Sequence, residues 1–368
     1  MSATLSSLSN CGTSIWLDDL SRERLVPGGA ARSLHSLINS EYVVGVTTNP
    51  AIFSSAISGS PLYRDEILSL HRSGQPIEEI ITSLTCADVA AACDLFADVH
   101  RKSSGVDGLV SIEVDPRFAR DTESTIAQAR ELWKRIDRPN LLIKVPATIE
   151  GLPAIRTLIS EGISVNVTII FSVTRYGEVL DAYISGLEDR ASRGLELSDI
   201  HSVASFFVSR VDTEIDSRLR TLATNTSLEG KAAIANARLA YQHFHTISRS
   251  QRWLALKERG ARPQRPLWAS TGVKDPAYDP CIYVTQLVAP LTVNTMPEAT
   301  LSAVRDSNDT IKESITDYID QSQATINELL KIGIDIEEVA AKLEREGIEK
   351  FIKPWLQLIE SVERVTRS

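Results

Sequence analysis

Short runs of β-branched and apolar residues alternate with longer stretches of helical periodicity along almost the whole chain. A strand covered on both faces reads as continuous apolar sequence, whereas a helix lying on it shows a single apolar stripe. The candidate strands are Ser14 to Asp18, Tyr42 to Val46, Gly108 to Val114, Asn140 to Val145, Val165 to Phe171, His201 to Val208, Leu267 to Thr271 and Pro290 to Asn294. Between them, Ala119 to Ile136, Gly151 to Ser160 and Thr174 to Ala191 carry the helical pattern and end near turns or charge clusters. Such alternation is the signature of βα units around a parallel sheet. Eight strands favour an α/β architecture closed as a (β/α)8 TIM barrel with additional helices. An open doubly wound sheet usually carries a glycine-rich turn after its first strand, and here that position reads Asp18-Asp19-Leu20-Ser21.

The additional helices are Ile77 to Arg101, Ser227 to Arg259 and Asp335 to Arg364. The last is charged and amphipathic, which predicts packing on the barrel exterior. Arg259 to Pro266, with Gly260, Pro263 and Pro266, reads as a connecting loop. The expected organisation is one barrel domain over residues 1–368, with a helical insertion around 223–266 and C-terminal helices over 310–368.

A chain with 43% hydrophobic and 24% charged residues can bury a core without staples. Its net charge of −9 works against unselective binding to nucleic acid or to an anionic membrane. Phosphorylated substrates stay open, because a few cations focused in a cleft attract an anion against an unfavourable average field. Cys11, Cys86, Cys93 and Cys281 form no CxxC pair, and Cys86 and Cys93 read as helix packing, so reduced thiols are expected. The N-terminal residues lack a basic region followed by an apolar run, and no uncharged stretch approaches membrane-spanning length. The expected location is the cytoplasm.

In a barrel of this kind the chemistry sits at the C-terminal ends of the strands. The polar residues there are Asp18, Thr47 and Asn49, Glu113, Lys144, Asn166 and Thr168, Ser205 with Arg210, and Ser270 with Lys274. Lys144 stands in the apolar run Leu141-Leu142-Ile143-Lys144-Val145-Pro146. Desolvation of a lysine in such a strand favours the neutral amine, which can attack a carbonyl and form an imine. The plainer alternative is a lysine that caps the strand or pairs with a carboxylate. Glu113 ends the preceding strand and should lie beside Lys144, where a carboxylate and a hydroxyl such as Thr168 can orient water for proton transfer. A glutamate that only balances the lysine charge competes with that reading. Of Asp18 and Asp19, alternation favours Asp18 at the mouth and leaves Asp19 to start the following helix. Asn49 and Asn166 suit the hydroxyls of a small polyol, although Asn49 before Pro50 could equally cap a helix.

Seven segments match one known family in order and spacing: Gly45-Val46-Thr47-Thr48-Asn49-Pro50, Ser111 to Asp115, Leu142 to Thr148, Asn166 to Ser172, Phe206 to Asp212, Trp268 to Thr271 and Thr292 to Pro297. Together they make the chain resemble the transaldolases, of the longer bacterial type, over roughly Ile15 to Leu301, leaving mainly the C-terminal helices outside. The resemblance implies a pentose-phosphate-pathway transferase that moves a dihydroxyacetone unit from sedoheptulose 7-phosphate to glyceraldehyde 3-phosphate. It makes Lys144 the Schiff-base lysine, Asp18 the base for carbon–carbon cleavage, and Glu113 with Thr168 the pair that handles the catalytic water. Asn49, Asn166 and Ser205 would hold the dihydroxyacetone fragment and Arg210 the phosphate, with Thr47 and Ser270 also among the substrate-binding positions. No metal or organic cofactor is implied, and the expected partners are small sugar phosphates, with a homodimer through exterior helices left open. One departure stands out: where shorter relatives carry a second phosphate-binding arginine after the seventh strand, this chain reads Ser270-Thr271-Gly272-Val273-Lys274. Lysine binds phosphate as a point charge, so Arg210, Lys274 and hydroxyls are expected to share the anion.

A class I fructose-6-phosphate aldolase is the nearest alternative, and Arg210 and the chain length weigh against it. Pyridoxal phosphate on the lysine would need a glycine-rich phosphate cup that the sequence lacks. A barrel that only binds sugar phosphates is the bland alternative, because a fold never proves an activity. Metal hydrolysis fits poorly, since His243 and His245 sit at a helical spacing that points their side chains apart.

Overall fold

The computed structural model describes residues 2–26, 32–222 and 226–367. Eight parallel strands close on themselves in chain order: β1 (Thr13–Leu17), β2 (Val43–Val46), β3 (Leu109–Glu113), β4 (Leu141–Pro146), β5 (Val165–Ile170), β6 (Ser202–Phe207), β7 (Arg265–Ala269) and β8 (Thr292–Met296). Helices stand between them, so the α/β barrel predicted from the alternating pattern is the fold observed. Nearly every strand residue is buried, the inner face by barrel filling and the outer face by helices. This is why the strands read as unbroken apolar runs rather than as an alternation.

The seventh strand begins two residues earlier than its apolar run suggests. Arg265 and Pro266, expected in a loop, pair with Val203 and Ala204 of β6. Arg265 is buried at the foot of the barrel, where its guanidinium donates to the carbonyls of Thr292 (2.9 Å) and Val106 (2.8 Å), to Ser14 Oγ and to Asp107. A charge so well supplied with acceptors can serve as core, which residue type alone does not reveal.

Helix Ile77–Lys102 is long and apolar enough by composition to cross a membrane, although Glu78, Glu79, Asp88, Asp94 and Asp98 interrupt it, so no uncharged stretch of that length is present in it. Its Ile80, Ile81, Leu84, Val89, Ala92, Cys93 and Phe96 are buried, and the helix packs against β3. The expected insertion holds helices Ala232–Ile247 and Gln251–Glu258, while its first residues, 223–225, lie outside the described residues. The C-terminal helix Ile336–Thr366, expected to pack on the outside of the barrel, contacts β5 and helices Pro50–Gly59 and Ser209–Leu222, which follow β2 and β6, and so crosses the mouth. Its apolar stripe, including Val339, Leu343, Ile348 and Phe351, is buried there. Amphipathicity demands a cover for that stripe without saying which surface supplies it.

The entry to β3, at the foot of the barrel, is a close backbone approach. Gly108 has φ +79°, donates its N–H to Val44 O at 2.6 Å, and leaves room for a Cβ only 2.4 Å from His100 N. Both the left-handed backbone and the clash resist any side chain. Gly108→Ala is therefore expected to cost roughly 3 kcal/mol or more of stability, read as a lower urea midpoint with an unchanged slope.

Candidate active site

Parallel pairing sets the strand ends side by side. Glu113 of β3 is the register partner of Lys144 of β4, and Lys144 is in turn the partner of Asn166 of β5, with Pro146 opposite Thr168. Lys144 Nζ lies 3.2 Å from Glu113 Oε2 and donates to Thr48 O at 2.8 Å, and the two charged side chains are only 6% and 3% exposed. The sequence reading of adjacent amine and carboxylate holds in this geometry. Glu113 Oε1 and the Thr168 hydroxyl are buried without a partner among the described residues, leaving polar atoms near the amine for a water or a substrate oxygen.

Beneath this layer the side chains two residues earlier form a second polar layer, as strand alternation requires. Ser205 Oγ donates to Asn166 Oδ1 at 2.7 Å, and Asn166 Nδ2 donates to Ser111 Oγ at 3.0 Å. Ser111 gives its own proton to Val46 O at 3.4 Å, which leaves its oxygen to accept from the Asn166 amide. Ser111 was not singled out from sequence, although it lies inside a matched segment.

On the other side of the amine, Asp18 accepts from the Thr47 hydroxyl at 2.6 Å, and Thr47 also meets Thr295 at 2.6 Å. Burial pushes the Asp18 carboxyl above the usual carboxylate range, opposed by the Thr47 hydrogen bond and the Lys144 charge. Burial raises Glu113 likewise, against the pull of Lys144. Both carboxylates are thus stronger bases than exposed ones. Asp19 points elsewhere and pairs with Arg24. It does not start a helix, because Ser21 holds the N-cap position of Arg22–Leu25. For Asn49 the capping alternative is realised: its Oδ1 accepts from Ile52 N at 3.0 Å, while the residue also lines the cavity.

That cavity has a volume of about 190 Å³. Asp18, Thr47, Asn49, Lys144, Thr168, Ser205, Arg210, Ser270 and Lys274 line it, with Glu113 and Asn166 reached through their hydrogen bonds to lining residues. Arg210 and Lys274 make no ion pair among the described residues. Arg210 lies instead against the ring of Phe207, 5.3 Å from its centroid, with Nη1 buried and unpartnered. Burial pulls its guanidinium below the usual range, Asp18 and Glu113 opposing. Two cations without carboxylate partners in an acidic protein make a site for an anionic group.

β5 is distorted where it meets the cavity. Val167 and Ile170 pair with Ala204 and Phe206, so three steps face two, and Ile169 takes φ +56°. A β-branched residue in that region is strained, and the bulge re-aims the strand end next to Thr168. Among the lining residues that the sequence reading missed are Phe207, Thr295, Pro297 and Phe351. The first three stand inside matched segments and could have been found there. Phe351 comes from the C-terminal helix, and nothing local distinguishes it from any other apolar-face residue. Among the described residues no three His, Cys, Asp or Glu side chains converge as metal ligands.

Comparison with known proteins covers more of the chain than the matched segments did. The family model described as transaldolase/fructose-6-phosphate aldolase matches residues 15–362, which takes in most of the C-terminal helix. A protein named transaldolase from Mycolicibacterium smegmatis is 54% identical over 361 residues, covering 98% of this chain and 96% of its own. The transaldolases of Acidothermus cellulolyticus and Thermobifida fusca are 53% and 50% identical, covering 99% and 98% of this chain and 97% and 98% of their own.

The loop that carries Lys274 is tied down by buried carboxylates of helix Ser209–Leu222. Asp212 accepts from Tyr283 Oη and Ala233 N, each at 2.8 Å, and Asp216 accepts from Tyr278 Oη at 2.7 Å. Burial raises Asp212 from 3.8 to about 7, against those hydrogen bonds. The folded chain therefore holds this proton more tightly than the unfolded one. Its contribution to stability is complete below 3.8 and is lost as pH rises through about 7. Asp212→Asn is expected to remove that component, flattening the fall in urea-derived stability between about pH 5 and 7 by roughly 1 kcal/mol per pH unit.

Proposed function

The chain belongs to the transaldolase/fructose-6-phosphate aldolase family, and we propose that its barrel mouth transfers a dihydroxyacetone unit between sugar phosphates through an imine on Lys144. The observation that carries this assignment is the buried Lys144 amine, 3.2 Å from Glu113 and facing a polar cavity with two unpaired cations. Transfer rather than simple cleavage follows from full-length identity of 50–54% to proteins named transaldolase.

Lys144 Nζ attacks the ketose carbonyl of a donor such as sedoheptulose 7-phosphate, and the adduct loses water to form the imine. Glu113 and the free Thr168 hydroxyl move the protons and hold that water. Asp18, made more basic by burial and oriented by Thr47, accepts the proton of the hydroxyl next to the bond that breaks. The bonding electrons flow into the protonated imine, leaving an enamine on Lys144 and releasing erythrose 4-phosphate. The enamine carbon then adds to glyceraldehyde 3-phosphate, Asp18 returns its proton, and hydrolysis frees fructose 6-phosphate and the amine.

Asn49, Asn166 and Ser205 hold the hydroxyls of the three-carbon fragment. Arg210 and Lys274 take the phosphate, the arginine through directional hydrogen bonds and the lysine as a point charge, with Ser270 lining the same cavity. One barrel unit thus carries the whole reaction, in the cytoplasm and within pentose phosphate metabolism.

The test is to incubate the protein with fructose 6-phosphate, reduce with borohydride and map the added three-carbon mass. An adduct on Lys144, absent in Lys144→Ala and discharged by erythrose 4-phosphate before reduction, is the expected result. A folded wild type without the adduct overturns the covalent mechanism. Arg210→Ala should raise KM for phosphorylated acceptors about 10–100-fold, the worth of a charge-assisted hydrogen bond. Lys274→Ala should do less, while leaving the adduct intact.

A further inference from the structure

The C-terminal helix brings one large side chain to the reacting amine. Phe351 is 6% exposed, and its ring centroid lies 5.8 Å from Lys144 Nζ and 5.9 Å from Arg210 Cζ. Gly347 is one helical turn earlier on the same face. A Cβ there would meet Ile169, Phe171 and Arg210 at 3.6–3.7 Å, ordinary van der Waals contact, so this turn of the helix packs directly on the mouth. Phe351 thereby roofs a cavity whose other lining is mostly polar.

An apolar roof matters for one branch of the chemistry. The enamine left after aldol cleavage has two fates. Its carbon adds to an acceptor aldehyde, or the same carbon takes a proton and one water adds across the resulting C=N bond. In the second case the C–N bond breaks, the amine is regenerated and free dihydroxyacetone leaves. This fate is open while the acceptor place is empty, and it gains on transfer as more water reaches the enamine.

We propose that Phe351 is a specificity-determining residue that keeps bulk water from the Lys144 enamine and so biases the intermediate towards transfer. The inference rests on the imine reading of Lys144. It locates the choice between transfer and hydrolysis partly on the C-terminal helix, outside the barrel strands. A phenyl ring suits this task because it fills the space above the amine and offers water no hydrogen bond.

The experiment compares wild type, Phe351→Ala and Phe351→Leu with fructose 6-phosphate as donor. Free dihydroxyacetone is measured without acceptor, and sedoheptulose 7-phosphate is measured with erythrose 4-phosphate. Phe351→Ala is expected to raise the ratio of dihydroxyacetone release to transfer about tenfold, and Phe351→Leu, which still covers the amine, to stay within about twofold. Equal loss of both rates in Phe351→Ala, with the ratio unchanged, would overturn the proposal and leave Phe351 as a helix anchor. If circular dichroism shows that Phe351→Ala does not fold, Phe351→Val carries the same comparison. Borohydride trapping separates the two levels: a wild type without a Lys144 adduct sinks the imine reading. An adduct in every variant with an unchanged ratio sinks only the role of Phe351.

Discussion

A lysine and a glutamate, both almost fully withdrawn from water, face each other across neighbouring strands at the centre of this barrel. Bringing two such groups into the interior costs several kcal/mol each after relaxation, and their mutual attraction offsets that only when geometry and further hydrogen bonds are good. Barrel closure supplies the geometry. The register that pairs Glu113 with Lys144 and Lys144 with Asn166 cannot slip by one residue without turning every inward side chain outward. The polar layer of Ser111, Asn166 and Ser205 and the Thr47–Asp18 contact then complete the surroundings of the amine.

The electrostatics of the mouth run against those of the whole molecule. The chain is acidic overall, yet Arg210 and Lys274 enter the cavity without carboxylate partners among the described residues. Arg210 is held by an aromatic face rather than by an ion pair. That choice keeps its donors available to a phosphate, where a salt bridge would have occupied them. The loop bearing Lys274 is in turn fastened to helix Ser209–Leu222 by tyrosine hydroxyls on buried carboxylates and by the Arg220–Asp275 ion pair. The two cations therefore share one mechanical support.

The C-terminal helix solves a second problem. A barrel mouth with a reactive amine needs an opening for substrate and some protection from water, and a long helix laid across it supplies both a wall and an edge. Its apolar stripe is satisfied by Ile169, Phe171 and the neighbouring helices, so the cover is part of the hydrophobic core and not a loose flap.

The sequence by itself determined the strand order, the barrel and most of the cavity. Burial on both faces leaves an apolar run interrupted only where chemistry requires it, and a lysine inside Leu141 to Pro146 is conspicuous for that reason. Residues at strand ends converge whatever their separation along the chain, which is why Asp18, Thr47, Glu113, Thr168, Ser205, Arg210 and Lys274 could be named together. Tertiary structure alone decided what depends on a partner surface. Arg265 looked like loop until its acceptors at the barrel foot were known, and Asn49 is both a cap and a cavity residue because one amide presents two ends. Phe351 could not be found from sequence at all. An amphipathic helix declares that one face must be covered, but hydrophobic burial is non-directional, and only the packed barrel selects the surface that covers it.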